Sequence, residues 1–321
     1  TIGLHARLLS VDAPAISSSG ADLFINSPEG DIDLYDIELS DFHFLIPIAI
    51  TPQVFSYLGV THDGPIQLVK VMFDPVEAKI TDIRMRNVAM MADRTAFAGT
   101  YVDGRLWLYH SLGGRRADIR VFEYDFEGES LREIASRNIA HDVFPSLLFC
   151  RGSRVFVSIR ETDKWFIMGL KIHEGSVQFT DESSEFAGMR PLAVCVPAEG
   201  DFGLISFSSH LNGCTADATH VGLLELRSLA MVGSVFELAP LEAGSGASRV
   251  MPQNLASALH NGFWYFAVAC RKGVVLFRLS SGVLKFEAVT PYIRPSKGGK
   301  VNSLSLAMVS NGAHLYAFVS E

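Results

Sequence analysis

Tight turns between short apolar strands recur along the chain and restrict its fold more than any other feature. The dipeptides Asn261-Gly262 and Asn311-Gly312 each separate two apolar runs. Asn-Gly is the strongest short hairpin signal, because both central residues of a type I′ turn take positive φ. Further turns of the same kind are predicted at 102–104, 151–153 and 199–201. The sequence therefore predicts a series of antiparallel hairpins.

A second pair of strands follows these hairpins and has a different pattern. The runs 118–125 and 164–172 alternate more between apolar and polar residues than the hairpin strands that precede them. Inner strands that are covered on both faces are uniformly apolar, whereas half-exposed outer strands alternate. Four antiparallel strands with this gradient form the blade of a β-propeller. The predicted fold is all-β, a single β-propeller with four-stranded antiparallel blades.

The number of blades follows from the positions of the repeats. Blades are predicted to start near 43, 94, 145, 191, 254 and 302. Six blades fit these positions best, and seven is the alternative, since residues 1–42 have room for most of another blade. The last blade stops after its second strand at Glu321, so the strands of residues 1–42 are expected to complete it. Such closure removes free strand edges and makes residues 1–321 one domain.

Composition narrows the classes of function. Hydrophobic residues make up 48% of the chain and charged residues 19%, which is typical of a folded protein. The net charge of −8 argues against a nucleic-acid binder, which usually presents a basic surface. No apolar run reaches the roughly 18 residues that span a bilayer. The four cysteines form no Cys-x-x-Cys pair and the histidines have no metal-ligand spacing, so we expect free thiols, no metal, no cofactor and an intracellular location, cytoplasmic or nuclear.

Residues 95–136 resemble one repeat of the kelch family of β-propellers. The residues that carry the resemblance are Val102-Asp103-Gly104-Arg105, Leu106-Trp107-Leu108-Tyr109, Gly113-Gly114 and Val121-Phe122-Glu123-Tyr124-Asp125. The resemblance implies a degenerate kelch-type propeller with a role in protein interaction. Because one fold hosts many functions, this implication is an analogy.

Arginines recur in the segments predicted to join successive blades and in other loops of the same face. The candidate partner-binding residues are Arg86, Arg94, Arg115, Arg116, Arg137, Arg190, Arg249, Arg271 and Arg294. Guanidinium groups bind carboxylates and phosphates bidentately. We therefore expect a protein-interaction scaffold, without enzymatic activity, that recognises an acidic or phosphorylated segment of a protein partner in a larger complex. The alternative is that these arginines pair with nearby carboxylates such as Asp93, Asp142 and Glu185.

Two other functions stay open. Asn254 and Asn302 begin predicted inner strands, and six-bladed lactonase-like hydrolases hold calcium in the central channel through such side chains. That likeness implies a metal-dependent hydrolase with a site in the channel. A carbohydrate-binding propeller would need aromatic platforms, for which the available tryptophans are Trp107, Trp165 and Trp264. All three lie in apolar strands, so they are expected in the core.

Overall fold

A computed structural model describes the strands of the chain and most of its hairpin turns. The described residues are 7–12, 42–51, 53–61, 65–74, 79–90, 95–111, 117–125, 130–139, 148–161, 164–186, 188–197, 199–208, 217–238, 248–249, 255–270, 273–291, 305–310 and 314–320. Within these ranges, no helix is long and apolar enough to cross a membrane.

The strands of the first three blades follow one another in chain order. They are β2 (Phe42–Ile50), β3 (Val54–Thr61), β4 (Pro65–Asp74) and β5 (Lys79–Met90) in blade 1; β6 (Thr95–Val102), β7 (Arg105–Ser111), β8 (Ala117–Asp125) and β9 (Ser130–Ile139) in blade 2; and β10 (Leu148–Arg151), β11 (Arg154–Glu161), β12 (Lys164–His173) and β13 (Ser176–Phe186) in blade 3. Within each blade, neighbouring strands are antiparallel.

The remaining blades repeat this order, with one additional pair of short strands. They are β14 (Arg190–Cys195), β15 (Phe202–Ser208), β17 (His220–Glu225) and β18 (Ala230–Glu237) in blade 4; β20 (Leu255–His260), β21 (Phe263–Ala269), β22 (Gly273–Ser280) and β23 (Val283–Pro291) in blade 5; and β24 (Ser305–Ser310), β25 (His314–Ser320) and β1 (Arg7–Asp12) in blade 6. The short strands β16 (Asp217–Ala218) and β19 (Ser248–Arg249) pair with each other.

The innermost strands form a closed ring. Each innermost strand contacts the next one along the chain, in the order β2, β6, β10, β14, β20 and β24. The last of them, β24, contacts the first, β2. The predicted all-β propeller is therefore confirmed, and the described strands form a closed ring of six blades. The innermost strands begin at Phe42, Thr95, Leu148, Arg190, Leu255 and Ser305. The assignment of residues 1–321 to one domain stays a prediction.

The N-terminal strand β1 is part of the last blade, as expected from the sequence. Strand β1 pairs antiparallel with β25, in a register that runs from Arg7 opposite Val319 to Asp12 opposite His314. The third strand of blade 6 thus comes from the opposite end of the chain. The other residues of the 1–42 segment that were expected to contribute strands before blade 1 lie outside the described residues.

The hydrophobic core lies between the blades. Ile46 and Leu58 of blade 1 pack with Leu106 and Leu108 of blade 2. Comparable clusters join blades 2 and 3, 3 and 4, 4 and 5, and 5 and 6. Each fully buried Leu, Ile, Val or Phe side chain contributes about 1.5–3 kcal/mol of hydrophobic free energy. The uniformly apolar inner strands are therefore explained by burial on two faces.

Deleting residues 1–18 is expected to destabilise the whole ring, because it removes β1 and leaves the edge of β25 unpaired. The lost ladder contains six residue pairs. At about 0.5–1.5 kcal/mol for each backbone hydrogen bond, the free energy of unfolding falls by roughly 3 kcal/mol or more. Urea unfolding measures the change, and a synthetic peptide of residues 1–18 added in trans should restore part of it. An unchanged urea midpoint would show that β1 is dispensable.

Candidate functional site

The six innermost strands enclose a cavity of about 230 Å³ in the middle of the ring. Every blade contributes to its wall. One lining residue from each innermost strand is Ile46, Thr100, Cys150, Cys195, Leu255 and Leu306. Ligand sites in proteins are usually concave, largely apolar and provided with a few polar groups. The cavity is therefore the candidate functional site.

The described wall of the cavity is apolar apart from a few neutral polar groups. Isoleucine, leucine, phenylalanine and valine side chains make up most of it, and the polar side chains are Thr100, Tyr101, Cys150 and Cys195. Among the described lining residues there is no carboxylate, imidazole, ammonium or guanidinium group. Such a wall favours a small uncharged ligand, since a buried unpaired charge is strongly unfavourable.

Two thiols on neighbouring innermost strands face this cavity. Cys150 Sγ lies 3.9 Å from the carbonyl oxygen of Tyr101 and donates a weak hydrogen bond to it. Burial raises the pKa of Cys150, and a side-chain hydrogen bond with Thr100 partly opposes that effect. Burial also raises the pKa of Cys195 to about 11, again partly opposed by a hydrogen bond, here with Ser257. Both groups are therefore neutral thiols at pH 7 and poor nucleophiles.

The raised pKa of Cys195 predicts an unusual pH dependence of alkylation. The reactive species is the thiolate. At pH values below the pKa of about 11, the thiolate fraction increases tenfold with each unit by which the pH is raised. The rate at which iodoacetamide modifies Cys195 should therefore increase about tenfold with each pH unit between pH 7 and 10. Peptide mass spectrometry measures this rate. An ordinary thiol, with a pKa of about 8.5, levels off above pH 9. A plateau at pH 9 for Cys195 would contradict the described burial, and Cys195→Ser identifies its peptide.

A second polar arrangement connects the innermost strands of blades 5 and 6. His260 Nδ1 lies 2.8 Å from Ser310 Oγ. The other ring nitrogen, Nε2, lies 3.0 Å from the side-chain Nδ2 of Asn261. The imidazole is 2% exposed, and its ring meets the Tyr265 ring edge-on, with centroids 6.0 Å apart. The pair therefore combines a buried base with a hydroxyl on the neighbouring strand.

Sequence reasoning missed this pair, because it treated the histidines as scattered structural residues. A signal was available in the repeat. His260 and Ser310 each stand directly before an Asn-Gly dipeptide in the sequence, and each ends the innermost strand of its blade. Equivalent positions of neighbouring blades lie side by side in a propeller. Comparing the repeats position by position would have brought the two residues together.

The predicted arginine face is divided among different layers of the blades. Arg86 and Arg137 lie within the outermost strands β5 and β9, whereas Arg190 begins the innermost strand β14. Arg137 Nη1 donates to the Val177 carbonyl oxygen at 3.3 Å, and its guanidinium carbon lies 4.4 Å from the centre of the Phe179 ring. It therefore joins blades 2 and 3.

The other candidate arginines add no common surface in the described part of the chain. The Arg190 guanidinium carbon lies 5.2 Å from the Trp165 ring centre, so this cation stacks on the core of blade 3. Arg249 lies opposite Asp217 in the β16–β19 pair, and its side chain is not described. The residues outside the described ranges are Arg94, Arg115, Arg116, Arg271 and Arg294. Glu185, a predicted arginine partner, instead forms an ion pair with Lys164.

The described channel residues do not fit a calcium ion. Ca²⁺ is bound by six to eight oxygen ligands, largely carboxylates and carbonyls, and the described wall offers no carboxylate. Across the described ranges, no group of three or more His, Cys, Asp or Glu side chains is placed to hold a metal ion. Asn254 and Asn302 lie outside the described residues.

The tryptophans do not support an exposed carbohydrate platform. Trp107 is 4% exposed and Trp165 is 2% exposed. Trp264 packs against the cluster between blades 4 and 5. These rings contribute to interblade packing, as expected for tryptophans in apolar strands.

Comparison with known proteins supports the propeller fold and changes the functional expectation. No family model matches the chain, and no curated protein matches its sequence. A "putative 6-phosphogluconolactonase" from Bacteroides uniformis has a TM-score of 0.52 and 14% identity, over 98% of this chain and 89% of its own. A protein of the same name from Bacteroides fragilis has a TM-score of 0.51 and 14% identity, over 97% and 87%. At this identity the likeness shows the fold alone.

The expectation of a non-enzymatic protein-interaction scaffold was wrong. It rested on the kelch resemblance of one repeat and on the pattern of arginines, whereas two propellers that match almost the whole chain carry the name of an enzyme. The kelch assignment is not confirmed by any family match. The lactonase-like alternative agrees better with these neighbours, but the described residues give no support to its calcium site.

Proposed function

We propose that this protein is a hydrolase of the lactonase type whose substrate binds in the central channel. The observation that carries the proposal is the cavity to which all six innermost strands contribute. The two Bacteroides propellers support the reaction class through their name. Fold alone does not determine function, so the chemistry of the cavity wall must decide the substrate.

The wall favours an uncharged lactone. A phosphorylated lactone would need Lys or Arg side chains around the phosphate, and the described lining residues include neither. A neutral cyclic ester instead needs apolar contacts and a few hydrogen-bond donors. The described wall carries two hydroxyl groups, those of Thr100 and Tyr101, and hydrogen bonds to a developing oxyanion are strengthened where water is excluded.

The cellular setting belongs to the same proposal. The described cysteines, Cys150, Cys195 and Cys270, are free thiols, which supports an intracellular location, because reducing compartments keep thiols free. The protein partner and larger complex expected from the sequence stay predictions. The described lining provides no group to activate water, so the cavity is assigned to substrate binding.

A panel of lactones tests the proposal. Proton release should show saturable hydrolysis of uncharged γ- or δ-lactones and weaker hydrolysis of 6-phosphogluconolactone. Val196→Trp places a large ring at the cavity wall and should lower kcat/KM by about 100-fold or more, since small misplacements of substrate have that cost. Val235→Trp is the matched control, because Val235 is 46% exposed on the outermost strand β18.

The variants also separate binding from stability. Both proteins are compared by urea midpoint before their kinetics are interpreted. Equal loss of activity in both variants, or no lactone hydrolysed above the uncatalysed rate, would refute the channel hydrolase. Preferential hydrolysis of 6-phosphogluconolactone would refute the uncharged substrate class.

A further inference from the structure

Ser310 and His260 have the geometry of a nucleophile and its general base. The hydroxyl oxygen of Ser310 and Nδ1 of His260 are 2.8 Å apart, within the hydrogen-bond range of activated serine nucleophiles. Asn261 holds the opposite ring nitrogen at 3.0 Å, as the third group of such a constellation does. Ser310 is partly exposed, whereas His260 is buried, so the serine borders solvent and the base is shielded from it.

We infer that Ser310 is the catalytic nucleophile and His260 its general base, acting on an ester or lactone that carries an apolar chain. The inference rests on the proposed hydrolase function and adds the reacting residues and the shape of the substrate. It uses the two neighbouring innermost strands β20 and β24, which also contribute Leu255 and Leu306 to the cavity wall.

The position of the pair relative to the cavity indicates the substrate's shape. Ser257 hydrogen-bonds to Cys195 of the cavity wall, and His260 lies three residues further along the same strand. The wall residues of the two strands, Leu255 and Leu306, lie five residues before His260 and four before Ser310, which is roughly 13–17 Å at about 3.3 Å per residue. A substrate with its carbonyl carbon at Ser310 and an apolar chain of about that length would reach the apolar cavity.

The protonation of His260 follows from its two partners. In the reactive tautomer, Nδ1 accepts the hydrogen bond from the Ser310 hydroxyl, and the Nε2–H group donates to the side-chain oxygen of Asn261. The amide oxygen and nitrogen of an asparagine exchange places by a half-turn, so Oδ1 then occupies the place of Nδ2. The Tyr265 ring meets the His260 ring edge-on and packs against the apolar cluster between blades 5 and 6.

The reaction balances without a cofactor. Ser310 Oγ bonds to the carbonyl carbon while its proton passes to His260 Nδ1. The carbon–oxygen bond of the lactone then breaks, and the leaving alkoxide takes that proton, so an acyl-serine ester with a free hydroxyl remains. Water attacks this ester, its proton passes to Nδ1, and Ser310 Oγ leaves with that proton to release the hydroxy acid.

A purely structural hydrogen bond between blades 5 and 6 is the competing explanation, and covalent labelling separates the two. The full chain is treated with an alkyl fluorophosphonate, which bonds to activated serines with loss of fluoride, and is analysed by mass spectrometry. One adduct per chain, located on Ser310, is expected. Labelling should disappear in Ser310→Ala and slow by about 100-fold in His260→Gln, as expected when a general base is removed.

The matched control is Ser280→Ala. Ser280 also ends a strand directly before a Gly-containing turn, but its strand β22 is not innermost. This variant should be labelled like the unmodified protein. Adducts that persist in Ser310→Ala, or equal labelling rates of His260→Gln and the unmodified protein at equal urea midpoints, would overturn the inference.

Ser310→Cys gives a second readout should His260→Gln fold poorly. A thiol beside a histidine base has a lowered pKa, so iodoacetamide should modify Cys at this position at pH 6.5 at least tenfold faster than Cys195. An equal rate would overturn the pairing with His260. The outcomes also separate the two proposals, because labelling of Ser310 without lactone hydrolysis refutes the lactonase alone, whereas hydrolysis that survives in Ser310→Ala refutes the dyad alone.

Discussion

Closure of the ring is the constraint on which the rest of the structure depends. Each blade buries one face against the next, so an open row of blades would leave two apolar faces in water. Contact between β24 and β2 and the pairing of β1 with β25 close the row at the same place. Because β1 and β25 lie at opposite ends of the sequence, closure depends on contacts of very high sequence separation, which form slowly.

The same closure creates the cavity. Six innermost strands cannot meet at a point, so a space remains on the axis of the ring. Side chains of the innermost strands form the wall of this space. Burial between blades requires these strands to be uniformly apolar, and the wall inherits that character. Gly99 shows how tightly the strands approach: a methyl group there would overlap Ile46 and lie 2.8 Å from Leu108 Cδ2. The packing of the blades alone therefore makes the wall of the ligand cavity apolar, whatever the function of the protein.

Local signals in the sequence predicted the fold well and the site poorly. Turn chemistry identified the hairpins: Asp103 and Asn261 both take positive φ before a glycine. The unfinished last blade indicated its completion by the N-terminal strand. The loop positions expected for Arg86 and Arg137 were wrong, because both residues lie within β5 and β9, which run for 12 and 10 residues; the partner-binding role of the arginines stays a prediction. The residues that line the cavity were not predictable, since they depend on strand twist and register.

Differences between equivalent positions are where a repeat protein carries its chemistry. The last residue of the innermost strand is Val102 in blade 2, Arg151 in blade 3, His260 in blade 5 and Ser310 in blade 6. Packing alone does not require a histidine or a serine there, since valine fills the same place in blade 2. A buried imidazole has lost its hydration, and the adjacent blade presents a hydroxyl at the equivalent position as one of its hydrogen-bond partners. His260 and Ser310 both depart from the apolar pattern, lie in neighbouring blades and form a hydrogen bond with each other. Such a pair is better evidence for a site than any single polar residue in the ring.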